Sequence, residues 1–126
     1  MILIGHPWIE SQKFHKVFSI EDIKNSNPED MILLEPLVDS YPYAQYCQKN
    51  GIEYAIVVNT LESAIYANAL GATYMVCEEE SALMIQPIAQ EYLFDTKILV
   101  LIKSNKEISK IARSGIDGVI FTEAIN

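Results

Sequence analysis

Five short apolar runs in this chain each end on a polar side chain. Met31-Ile32-Leu33-Leu34 ends on Glu35, and Tyr54-Ala55-Ile56-Val57-Val58 on Asn59. Thr73-Tyr74-Met75-Val76-Cys77 ends on Glu78, Ile98 to Ile102 on Lys103, and Val119-Ile120-Phe121 on Thr122 and Glu123. If the runs are parallel strands, these residues share the carboxyl edge of a sheet, where open α/β folds bind their ligands. Glu35 and Glu78 would suit a hard cation such as Mg²⁺ through oxygen ligands. Lys103 would neutralise those carboxylates, bind an anion, or act as a nucleophilic amine if desolvated. Two plainer readings fit the same residues: loops are polar because they are solvated, and a Lys–Glu contact can serve stability alone. His6-Pro7-Trp8 is a second candidate contact, for a small molecule or a protein. Alternatively Trp8, the only tryptophan, closes the core beneath the N-terminal segment. His15 has no acid or thiol beside it and reads as packing or exposure.

Several chemistries lack their motifs. There is no P-loop and no GxGxxG after a strand, and Gly5 alone after Ile2-Leu3-Ile4 makes no phosphate cradle. There is no GxSxG elbow and no HExxH. The two cysteines, Cys47 and Cys77, have no CxxC spacing and read as small apolar residues of the interior.

The elements that would position the edge residues follow from local signals. Ser40 and Pro42 predict the start of a helix running over Tyr41–Lys49, and Asn50-Gly51 its stop. Asn59 or Thr60 caps a helix over Leu61–Leu70, which Gly71 ends. A long helix follows Glu78-Glu79-Glu80 to about Phe94, with Ile85, Ile88, Ala89 and Tyr92 as its buried stripe and a kink expected at Pro87. Ser104 or Asn105 caps a helix with Ile108, Ile111 and Ala112 inward, and Gly115 stops it. In the first 30 residues, Ile2–Ile4 and Phe14–Phe18 read as strands, and Ser19-Ile20-Glu21-Asp22 as a box opening a short helix.

The pattern predicts one α/β domain over residues 1–126: an N-terminal extension over 1–30, either an edge strand or a separate lobe, and a core over 31–126. Strands joined by helices must be parallel, with right-handed crossovers. Their wholly apolar character points to burial on both faces, hence a doubly wound, mainly parallel five-stranded sheet of the flavodoxin kind. Half of the 126 residues are hydrophobic, enough for a core without staples. No apolar run is long enough to span a bilayer and no signal peptide is recognisable, so a cytoplasmic protein is expected. The net charge of −8 disfavours nucleic acid and fits a basic partner or cations.

From Met31 to Asn126 the order and spacing resemble the receiver domains of bacterial response regulators. Ile32-Leu33-Leu34-Glu35-Pro36 looks like a receiver's first strand and acidic loop, and Ile98 to Ser104 like its fourth strand and following turn. Gly115-Ile116-Asp117-Gly118-Val119-Ile120 looks like the entry to its fifth strand. A receiver needs clustered carboxylates for Mg²⁺, an acceptor aspartate, a hydroxyl residue and a lysine. Here the metal loop offers Glu35 and Asp39, the acceptor position Glu78, the hydroxyl position Lys103 followed by Ser104, and the lysine position Thr122. The resemblance therefore implies a regulatory or protein-interaction module that is not phosphorylated, with Glu78 imitating a permanently charged state. Its expected partner surface is Asn105–Asn126 or the tyrosine-bearing helix, and a homodimer is in keeping with so apolar a chain. The alternatives are a small enzyme or ligand-binding protein working at the carboxyl edge, or a degenerate nucleotide-binding regulatory domain.

Overall fold

In the computed structural model, which describes residues 1–126, the chain forms a seven-stranded, wholly parallel sheet with helices between the strands. In chain order the strands are β1 (Ile2–Ile4), β2 (Phe14–Lys16), β3 (Met31–Leu34), β4 (Tyr54–Val57), β5 (Tyr74–Cys77), β6 (Lys97–Ile102) and β7 (Gly118–Phe121). Helices α1 (Ile20–Lys24), α2 (Leu37–Lys49), α3 (Leu61–Ala69), α4 (Glu79–Glu91) and α5 (Ile108–Arg113) alternate with β2 to β7. No helix is long and apolar enough to cross a membrane.

The parallel α/β architecture matches the expectation, but its winding and strand number do not. The sheet order is β1-β7-β6-β5-β4-β3-β2, so from β2 onward each strand lies next to its predecessor in sequence. A doubly wound sheet needs a reversal of direction to place helices on both faces. Here every right-handed crossover steps the same way, which lays all five helices on one face. The two extra strands come from the first 30 residues, which form neither a lone edge strand nor a separate lobe. β1 pairs with β7 at one edge and β2 with β3 at the other.

The helix-free face is buried by curling onto itself. Ile4, Phe14, Met31, Leu33, Ala55, Val76, Leu99, Ile120 and Ala124 pack together with no side chain from α1 to α5 among them. Phe14 on β2 and Tyr74 on β5 would be about 14 Å apart on a flat sheet, at three strand spacings. Their ring centroids lie 5.7 Å apart across the concave face. The chain after β7 completes the half-barrel through a 3-10 turn, Thr122–Ala124. Ile125 bridges Phe14, the Asn126 N–H donates to the Phe14 carbonyl at 2.9 Å, and the Lys16 N–H donates to the Asn126 carbonyl at 3.1 Å. The convex face forms the larger core, where Ile32, Leu34, Ile56, Met75, Ile98 and Val100 meet the buried stripes of the helices.

Local chemistry accounts for the element boundaries. The Thr60 hydroxyl caps α3 by accepting from the Ser63 N–H at 3.1 Å, and Ser19 caps α1 by accepting from the Asp22 N–H at 3.1 Å. α2 begins earlier than expected, at Leu37, which puts Pro42 inside the helix. Ser40 is a buried member of it, and its hydroxyl donates to the Glu35 and Pro36 carbonyls. α4 runs through Pro87 without a break. Its buried side chains are Ala82, Ile85, Gln86 and Ala89, whereas Tyr92 is exposed. Gln86 is satisfied by accepting from the Asp117 N–H at 3.0 Å, and Asp117 in turn accepts from the Ile98 N–H at 3.0 Å.

Candidate functional site

Alternation along the strands decides what faces the concave side. Leu33, Val57, Val76 and Leu101 all point inward, and the same alternation carries Asn59 and Glu78 toward the space above them. Below this level the interior is filled by Phe14, Tyr74, Ile4 and Leu99. At the carboxyl end of the strands it opens into a cavity of about 340 Å³. Leu33, Val57, Val76, Leu101 and Ile125 form an apolar floor and wall, and Lys16, Asn59, Glu78, Ser81 and Thr122 supply the polar rim.

The rim charges have no partners within the protein. Glu78 precedes α4 but makes no side-chain bond to the helix N-terminus. By contrast Glu107 is committed, accepting from the Lys103 and Ser104 N–H groups at 3.2 and 3.3 Å. The chain holds one ion pair, Lys110 with Glu79 at 3.0 Å, so Lys16 and Glu78 are not bridged to each other. The Ser81 hydroxyl donates to the Asn59 carbonyl at 3.5 Å, tying the start of α4 to the end of β4. Cys77 also borders the cavity. Burial, with a lesser contribution from the Glu78 charge, pushes its thiol up to about 12, so the nucleophilic thiolate is not populated near neutrality.

Three of the six carboxyl-edge candidates therefore meet at one cavity: Asn59, Glu78 and Thr122. The other three do not. Glu35 follows β3, separated from β5 by β4, so the two glutamates are not on neighbouring strands, and Glu35 does not line the cavity that Glu78 borders. Nowhere do three or more His, Cys, Asp or Glu side chains assemble into a cation site. Lys103 and Glu123 border a separate recess with Gly5, Pro7, Ser104, Asn105 and Phe121. The Lys103 side chain is exposed and makes no ion pair, so its ammonium is neither desolvated nor bridged to a glutamate.

The N-terminal candidates do not line this cavity. His6 packs edge-on against Trp8 at 5.1 Å and against Phe121 at 5.7 Å, and its Nδ1 accepts from the Trp8 N–H at 3.1 Å. Trp8 itself is 91% exposed, so it does not close the core. That task falls to Phe14 and Ala124. Gly5, at φ 92°, lets the chain pass so near that a β-carbon there would sit 2.9 Å from the Ala124 Cβ. His15 lies at the edge with its Nδ1 3.1 Å from Asn126 Oδ1.

Sequence reasoning missed Lys16 and Ser81. The signal for Lys16 was present: in Phe14-His15-Lys16, alternation places the lysine on the same face as a phenylalanine that must be buried. Comparison with known proteins adds no relative: no family model matches this chain, and no curated protein matches it.

Proposed function

We propose that this chain is a ligand-binding domain that holds a small amphipathic molecule in the mouth of its half-barrel. The observation that carries this reading is the joining of an apolar floor to a polar rim whose charges are left unpaired. Such a combination is the common form of small-molecule sites, in which apolar surface supplies affinity and a few polar groups fix orientation. The cavity also lies at the carboxyl ends of parallel strands, the edge at which α/β sheets present their loops. The regulatory role expected from the receiver-like spacing is compatible with it: a bound molecule stabilises the native state and so reports its own concentration.

The test is a fragment screen followed by methyl NMR. Binding at the mouth shifts the methyl signals of Leu33, Val57, Val76 and Leu101 and raises the unfolding temperature. Ligands that bind while leaving those four residues unmoved would refute the reading.

A second reading, a protein-interaction module that is not phosphorylated, is favoured by Val38 and Tyr41, apolar side chains left in water in the first half of α2. Light scattering over a concentration series tests its self-association. A stable phosphoryl adduct after incubation with a small phosphodonor, seen by mass spectrometry, would overturn it.

A further inference from the structure

Resting on the reading of the mouth as a ligand site, we infer that its ligand is dipolar. An anionic group is held by the Lys16 ammonium, a protonated amine by the Glu78 carboxylate, and an apolar body lies between them over Val57 and Val76.

Lys16 and Glu78 both border the cavity and both keep exposed surface, so an occupant lies beside two solvated charges. Neither charge has a partner in the protein. A wholly apolar occupant would draw no contact from either charge. A singly charged anion would satisfy Lys16 and meet repulsion from Glu78; an amine would do the reverse. A divalent cation lacks its ligand set, because no three acidic, thiol or imidazole side chains converge. Only an occupant bearing both signs satisfies both ends.

The separation of the two charges sets the shape of the molecule. Lys16 is on β2 and Glu78 follows β5, the same two strands whose Phe14 and Tyr74 rings meet across the concave face. Curling thus shortens the path between them from an arc along the sheet to a chord across it. Leu33 and Val57, on the two strands between them, belong to the apolar floor, so the ligand we infer carries its two charged groups at opposite ends of an apolar chain. Straight-chain ω-amino acids are the simplest members of this class. Asn59 and Thr122, neutral and polar on the rim, are placed to complete the hydrogen bonds of the end groups.

The experiment is calorimetric titration of the full chain with straight-chain ω-amino acids of increasing length. At the best length, the matched fatty acid, alkylamine and alcohol are compared. The dipolar compound is expected to bind about tenfold more tightly than either singly charged analogue, the scale of one charge-assisted contact. Affinity should pass through a maximum with chain length. Lys16 and Glu78 are both exposed, so Lys16→Met and Glu78→Gln retain the fold. Lys16→Met should remove the advantage over the alkylamine, and Glu78→Gln the advantage over the fatty acid. Equal binding of the dipolar, singly charged and neutral compounds would overturn the ligand class while leaving the mouth as a binding site. Absence of binding by every compound, with the Val57 and Val76 methyls unmoved throughout, would overturn both.

Discussion

Phe14→Ala is the sharpest test of the curled sheet, because Phe14 is buried only if the concave face closes. The side chain is fully buried, its ring packs on Tyr74 at 5.7 Å, and its neighbours include Met31 and Leu33 of the adjoining strand. None of this cover comes from a helix. It comes from Met31 and Leu33 on β3, from β5 reached across the interior, and from the chain around Ile125, which bridges the Phe14 backbone. Truncating a phenylalanine with this burial costs about 3–5 kcal/mol through lost transfer energy and the cavity left behind. Domains in general hold roughly 5–15 kcal/mol, so a large share of the total is at stake. Urea unfolding followed by far-ultraviolet circular dichroism measures it. Trp8 fluorescence is a poor reporter, because that indole is 91% exposed in the folded chain. The denaturation midpoint should fall with little change in slope. Phe14→Leu, which keeps most of the apolar volume, should lose about 1–2 kcal/mol and guards against a variant that fails to fold. A loss below about 1 kcal/mol for the alanine variant would mean that water already reaches Phe14, and would refute the closed concave face.

Two other outcomes follow from close approach and from burial. Gly118→Ala should destabilise by about 1–3 kcal/mol in the same urea assay, because its new methyl group must displace something; a β-carbon there meets the Ile2 carbonyl oxygen at 2.5 Å and the Ile2 Cβ at 2.6 Å. Stability should also fall at alkaline pH. Burial pushes the Cys47 thiol up to about 11 and the Cys77 thiol up to about 12, both from 9.0. A raised acid pKa favours the folded state fully below the unfolded value, so the loss begins as pH rises through 9 and continues toward the folded values. Urea midpoints between pH 7 and about 10 measure this limb, and Cys77→Ala should flatten it.

Much of the fold was legible in local signals, and the remainder was hidden for identifiable reasons. The five apolar runs, the Thr60 and Ser104 caps and the stop at Gly115 all appear where the sequence put them. The winding did not appear. A run such as Met31-Ile32-Leu33-Leu34 shows that both faces of a strand are buried, yet says nothing of what buries them. Helices on both sides, or helices on one side and the opposite strands on the other, leave the same apolar pattern. Residues Ile2–Ile4 and Phe14–Lys16 were recognisable as strands, but three residues carry no information about which edge they join. The alternative in which Trp8 closes the core rested on size and hydrophobicity, and fails because the indole is exposed while Phe14 and Ala124 are buried.

The candidate site was half legible for a related reason. Polar residues after strands are common, and only topology decides which of them converge. Sequential order without reversal curls the sheet, and curling selects. Asn59 and Glu78, on adjacent strands near the middle, are drawn toward the axis, and Thr122 joins them where the chain turns after β7. Lys103 stands one strand further along, in a turn whose N–H groups bond Glu107, and its side chain borders the recess beside Phe121 instead. Lys16 enters from β2, three strands from β5, by the same closure that brings Phe14 to Tyr74. A charge pair on a flat sheet at that spacing would be two unrelated surface groups. On this one, both border a single cavity with an apolar floor, so loosening the Phe14 contact should weaken the proposed ligand binding as well as the fold.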